Sequence, residues 1–187
     1  MIRYLRLIFA VPLFLFAVAC STNPTVANGG DPELVAKARA ALQELFDSTP
    51  KAKEIQYQAK AVVVFPDLVK AAFIAGAEGG KGVMFAPDGK VIGYYRARAA
   101  SYGLQAGVKS FSQAMFLMTD SAITSLTSGA GLSVGVGPSV VVVDAGMARS
   151  LTTTTMKADV YAFIFGQEGL MAGLGLQGQR IVKFDDQ

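Results

Sequence analysis

The side chains able to do chemistry in this chain are few and poorly matched to one another. Among 187 residues there is no histidine, which removes Ser-His and Cys-His nucleophile pairs, imidazole metal sites and the usual general base near neutral pH. The single cysteine, Cys20, cannot close an internal disulfide or build a thiolate metal cage. The carboxylates Asp144, Asp159, Glu168, Asp185 and Asp186 are scattered rather than set as an acid–base pair, and they read as solvated surface. Thr152 to Thr155 is a polar β-branched run, better suited to an edge strand or loop than to nucleophilic attack. Tyr94, Tyr95, Arg96 and Arg98 combine aromatic and basic groups, a composition that suits lipid headgroups or nucleic acid and equally an ordinary exposed strand face. No stretch forms a P-loop, and Gly129-x-Gly131 does not continue into the dinucleotide pattern. The expectation is a binding domain with no enzymatic activity, no cofactor and no metal.

The N-terminus has a chemistry of another kind. Met1 to Arg6 is a short basic region, and Leu7 to Val18 is an uncharged apolar stretch, shorter than the roughly twenty residues a spanning helix needs. That is the form of a secretory signal. It ends in Phe16-Ala17-Val18-Ala19-Cys20, after which Ser, Thr, Asn, Pro and Gly dominate. The junction resembles the lipobox of bacterial lipoproteins, whose cysteine is acylated and becomes the mature N-terminus. The resemblance implies a signal peptide over 1–19, acyl chains such as palmitate on Cys20, and a tether over 20–30. Ser21 stands where an aspartate would commonly mean inner-membrane retention, so the resemblance points to the outer membrane, with the domain facing the periplasm. Removing Arg3 and Arg6 lowers the net charge from +3 to +1. Nucleic-acid binding needs a dense basic surface, and a nearly neutral chain excludes it as an expectation.

The elements that position everything else begin at Asp31, and residues 31–187 read as one domain. Asp31-Pro32-Glu33 is a helix start, followed by Leu34, Ala38, Ala41, Leu42, Leu45 and Phe46 at helical spacing. Thr49-Pro50 opens a second short helix with Ala52, Ile55 and Ala59 on one side. The period then changes. Ala61 to Phe65 is a β-branched run expected to stop at Pro66, and Lys81 to Tyr95 reads as a hairpin around Pro87-Asp88-Gly89. Gln113 to Met118 is apolar, and Asp120 is placed to cap a helix through Leu126. Strands are expected at 130–136, 139–145, 158–165, 170–176 and 180–184, with Met115, Met118 and Met171 in the core. The fold class is α+β: a mostly antiparallel, strongly curved glycine-rich sheet or partial barrel, with a few packed helices.

The glycines have a pattern of their own. Over 129–137 the odd positions are Gly129, Gly131, Ser133, Gly135 and Gly137, and Gly173 and Gly175 repeat the alternation. One strand face is then nearly bare. Sharp coiling explains it, as does a groove where an acyl chain or a partner's backbone approaches.

Several blocks together resemble the SYLF domain. They run from Ala61-Val62-Val63-Val64-Phe65-Pro66, Lys70-Ala71-Ala72-Phe73 and Gly79-Gly80 through Gly103-Leu104-Gln105-Ala106-Gly107 and Gly135-Val136-Gly137-Pro138. Val160-Tyr161-Ala162-Phe163, Gly169 to Gly173 and Leu176-Gln177-Gly178 complete the order. The family includes actin-regulator and phosphoinositide-binding modules and many bacterial lipoproteins. This chain departs from it where Gly93-Tyr94-Tyr95 replaces a usual tryptophan, and at Gln177, where an acid is frequent.

What the resemblance implies is phospholipid binding, here at a membrane the acyl anchor already holds close. An envelope scaffold that binds a protein partner is the alternative. Lys51, Lys53 and Lys60 lie on or beside the helices nearest the tether and are expected to face lipid headgroups, while Leu34, Leu42 and Phe46 pack on the sheet.

Overall fold

The computed structural model describes residues 30–128, 132–133, 137–151, 156–169 and 179–184. The signal, the tether as far as residue 29 with Cys20, three glycines of the bare face (Gly129, Gly131 and Gly135), Thr152 to Thr155 and the expected strand at 170–176 lie outside them. Helix α1 (Pro32–Ser48) starts where the sequence says it must. The Asp31 carboxylate accepts the Leu34 N–H at 2.9 Å, and Pro32 occupies a position whose N–H would have no helical partner. Its buried stripe is Leu34, Ala38, Ala41, Leu42 and Leu45, with Phe46 packed alongside. After Thr49, helix α2 (Pro50–Gln56) buries Ala52 and Ile55.

Two long strands dominate the sheet: β1 (Ala61–Phe85) and β2 (Val91–Leu117), paired antiparallel over their lengths. The turn between them is the expected one, with Gly89 at φ +79° and its N–H donating to the Ala86 carbonyl at 2.9 Å. Pro66 does not end the first strand. The register shifts between Phe65 and Leu68, a bulge that accommodates a residue with no N–H to give to the ladder. Helix α3 (Asp120–Thr127) is capped by Thr119 rather than by Asp120. The remaining elements are β3 (Leu132–Ser133), β4 (Val140–Val143), α4 (Ala145–Ser150), β5 (Val160–Gly169) and β6 (Arg180–Phe184). The far edge of β2 takes β6 at residues 94–98 and β5 at residues 109–117, and β4 pairs with β5 in parallel. The expected mostly antiparallel α+β architecture holds, built on two long strands where many short ones were expected.

The segment 61–65 is apolar at every position because it is buried on both faces. Val62 and Val64 join Phe116, Tyr161 and Phe163 under α1 and α2. Ala61, Val63 and Phe65 pack instead with Met84, Tyr95 and Ala97, from the other end of the same hairpin, and with Ile181 of β6. A straight strand would hold Gly82 and Val64 about 60 Å apart. A Cβ on Gly82 would instead lie 2.7 Å from the Val64 carbonyl oxygen, and one on Gly80 would lie 2.5 Å from that of Asp67. Strand β1 therefore turns back on itself.

Two carboxylates read as solvated surface have structural work. Asp144 caps α4, accepting the Met147 N–H at 2.7 Å. Asp159 accepts from the Ser139 N–H at 2.9 Å and from the Ser139 and Thr119 hydroxyls, each at 2.8 Å. Those donors, the Ser139 backbone first, hold its carboxyl below the ordinary range.

Tyr95 corrects another expectation, since it is fully buried rather than on an exposed strand face. Its hydroxyl has no hydrogen-bond partner among the described residues, and burial pushes the phenol up from its usual pKa. A buried hydroxyl without a partner costs roughly 1–3 kcal/mol. Tyr95→Phe keeps the ring and removes that cost, so its melting temperature is expected to match or exceed the wild type's; a marked drop in a thermal melt would contradict this.

Candidate functional site

Cross-strand register gathers cations that the sequence keeps far apart. Side chains directly opposite one another in a sheet share a face. One such row is Gly79, Arg98 and Arg180, and another is Lys81, Arg96 and Val182. Arg98, Lys81 and Arg180 are exposed and Arg96 is half-buried. The third row, Val83, Tyr94 and Phe184, closes the group with aromatic rings. Phe184 lies 5.0 Å from the Arg96 guanidinium and 5.4 Å from the Lys81 ammonium, with Tyr94 tilted against it at 6.3 Å. A ring face attracts both cations and fixes their stems, so four basic groups are presented on one outward face. Asp185 and Asp186 come next in the chain, outside the described residues.

The lysines expected at the headgroups are placed differently. Lys51 pairs with Glu54 at 2.6 Å, one helical turn away, and Lys60 pairs with Asp120 at the start of α3. Lys53 is exposed on α2. The structure brings Lys51 and Lys53 onto one short helix and leaves Lys60 at the entrance to β1, with two of the three charges matched by a carboxylate. Sequence reasoning noted Arg96 and Arg98 but missed Lys81 and Arg180 as their neighbours. The hairpin turn was the available signal for Lys81: counting back from Asp88-Gly89 sets it opposite Arg96.

Behind the basic rows the hairpin encloses polar groups. Lys70, Glu78, Lys109, Gln113 and Gln179 are all buried, and Lys70 and Lys109 are directly opposite in register. The Gln179 amide donates to Glu78 Oε1 at 3.0 Å and to Gln113 Oε1 at 3.1 Å, and the Gln113 amide donates back to Gln179 at 3.2 Å. Burial pushes the Glu78 carboxyl above its ordinary range, more than the Gln179 hydrogen bond and the Lys70 charge pull it down. A raised folded pKa contributes stability below the unfolded value and loses it as pH rises through the folded one. Glu78→Gln, which fixes the neutral form, should therefore gain melting temperature relative to wild type as pH rises from about 4.3, the ordinary glutamate value, upward. A relative loss across that range would contradict the assignment.

A cleft of about 470 Å³ beside α1 is lined by Lys37, Glu44, Asp67, Phe111, Ser112 and Glu168, among others. Three carboxylates against one ammonium make it a poor seat for an anion. Among the described residues no cluster of carboxylates or thiolates is arranged to hold a metal ion, and no helix is long and apolar enough to cross a membrane.

Comparison with known families agrees with the blocks from Gly103 onward and does not reach those between Ala61 and Gly80. The Ysc84 family model, described as Las17-binding protein actin regulator, matches residues 98–187. That stretch runs from Arg98 in β2 to the last residue and includes Arg180 and Phe184, while α1, α2 and β1 precede it. No curated protein matches the chain. The match over residues 98–187 is consistent with a member of the Ysc84, or SYLF, family.

Proposed function

We propose that the chain is a membrane-anchored bacterial lipoprotein whose domain binds anionic phospholipid without catalysing a reaction. The anchor is the acylated Cys20, the tether is 20–30, and the site of residence is the outer membrane, with the domain facing the periplasm. The single observation that carries phospholipid binding is the outward group Lys81, Arg96, Arg98 and Arg180, set around Phe184. Near an anionic surface each such cation contributes roughly 1 kcal/mol. The reading treats the sheet as a strongly curved, glycine-rich partial barrel, which the return of β1 at Gly80 and Gly82 supports. It prefers the strand cluster to Lys51, Lys53 and Lys60 because register and the Phe184 ring set its cations side by side on one face.

The family's description as Las17-binding and actin-regulating favours a second reading, a scaffold that binds a protein partner in the envelope. Co-sedimentation of residues 31–187 with protein-free vesicles separates the two. Phospholipid binding predicts sedimentation with anionic vesicles that weakens as salt rises. No sedimentation with any headgroup would remove that reading and leave the scaffold.

A further inference from the structure

The middle of the hairpin is turned inside out. Along β1 the exposed positions are Val69, Ala71, Phe73, Ala75 and Ala77, while the buried ones between and beside them include Lys70 and Glu78. On β2, Ala100, Ala106 and Val108 are exposed while Lys109 is buried. A half-buried sheet ordinarily shows the reverse, apolar inward and polar outward. Apolar-out and polar-in is the polarity of strands whose outer face meets lipid.

The backbone directs this face outward. A Cβ on Gly76 would lie 2.7 Å from the Ala72 Cβ and from the Ser101 hydroxyl, and the Gly80 position nearly touches Asp67. Residues 68–79 thus rise from the body of the domain and return to it, crowded within and spread without. Phe73, near the middle of that excursion, is 77% exposed, and Val69 and Val108 are 48% and 63% exposed. No side chain at positions 69, 71, 73, 75 or 77 carries a hydrogen-bonding group. A specific protein interface needs about one hydrogen bond per 100–200 Å², so this face has little with which to orient a protein partner. At the foot of the strip the same outward face of β1 reaches Gly79 and Lys81, in register with Arg98 and Arg96. Apolar surface ending in cations matches acyl chains beneath anionic headgroups.

We propose that this bent ribbon inserts its outer face among the acyl chains of an anionic phospholipid bilayer, with Phe73 deepest. The proposal rests on the phospholipid reading above and adds depth and location to it. The chain has no tryptophan, so Phe73→Trp, Val108→Trp and Tyr57→Trp each create a lone indole emitter at an exposed site. The test uses the full chain reconstituted in vesicles, either anionic or zwitterionic, with bromine-labelled acyl chains as quencher. Insertion predicts that the indoles at 73 and 108 shift to shorter wavelength and are quenched in anionic vesicles, while the indole at 57 stays in water. If the indoles at 73 and 108 stay in water in both vesicle types, insertion is overturned; salt-sensitive sedimentation of residues 31–187 would then still uphold surface binding. A shift that precedes vesicle addition and grows with protein concentration assigns the strip to a second copy of the chain and also overturns insertion.

Discussion

Replacing Lys81, Arg96 and Arg98 together with glutamine is expected to weaken binding to anionic vesicles by about two orders of magnitude in low salt. Three cations at roughly 1 kcal/mol each come to about 3 kcal/mol, and each 1.4 kcal/mol is a factor of ten. The loss should shrink as salt rises, because exposed charges are screened over about 10 Å at 0.1 M. Thermal stability should fall only modestly, since the contacts of Lys81 and Arg96 with the Phe184 ring are worth roughly 0.5–1 kcal/mol each at an exposed site. The corresponding change of Lys51, Lys53 and Lys60 should cost less affinity, because those three are divided between α2 and the start of β1 rather than gathered in adjacent cross-strand rows. Equal losses from the two triple variants would count against the strand cluster.

Phe116→Ala is expected to be the most damaging single change to the fold, at about 3–5 kcal/mol in a urea titration. Phe116 is fully buried beneath the helices, edge-on to Phe163 with ring centroids 5.5 Å apart at 87°. The variant loses the transfer free energy of the ring, the aromatic contact and the packing around the vacated volume. Its backbone lies where β2 pairs with β1 on one side and β5 on the other, so the site has little freedom to collapse. Against a total stability of 5–15 kcal/mol for an ordinary domain, such a loss leaves much of the chain unfolded at modest temperature. A cost below about 1 kcal/mol would mean that the helix-side cluster is not the main core.

The parts of this fold legible in the sequence are those set by local rules. Asp31-Pro32 and Thr49-Pro50 mark helix starts because a cap and a ring-locked φ act within one turn. Pro87-Asp88-Gly89 marks the hairpin because its glycine takes a positive φ. The features that escaped the sequence depend on distant partners. Pro66 looks like a strand end, yet the ladder passes it through a bulge whose partner residues, Gln113 and Phe111, lie more than forty positions away. Tyr95 looks like a neighbour of Arg96 on a wet face until β1 returns and covers it. The inversion around Lys70 left one trace, Val69-Lys70-Ala71 and then Phe73, Ala75 and Ala77. That alternation of apolar residues fixes a period but not which face is inside. The candidate site was half visible, since Arg96 and Arg98 are close in sequence while Lys81 and Arg180 join them only through register. Lys60 shows the converse, for its partner Asp120 is sixty residues on.

Hydroxyl-radical footprinting of the wild-type domain, residues 31–187, with and without anionic vesicles tests the location of the membrane face most directly. Phe73 on the ribbon and Tyr57 beside the α2 lysines are 77% and 81% exposed, so both should be labelled readily in solution. The account predicts that vesicles protect Phe73 and leave Tyr57 labelled as before. Protection of Tyr57 with Phe73 still fully labelled would contradict it and put the helix face, with Lys51, Lys53 and Lys60, against the bilayer.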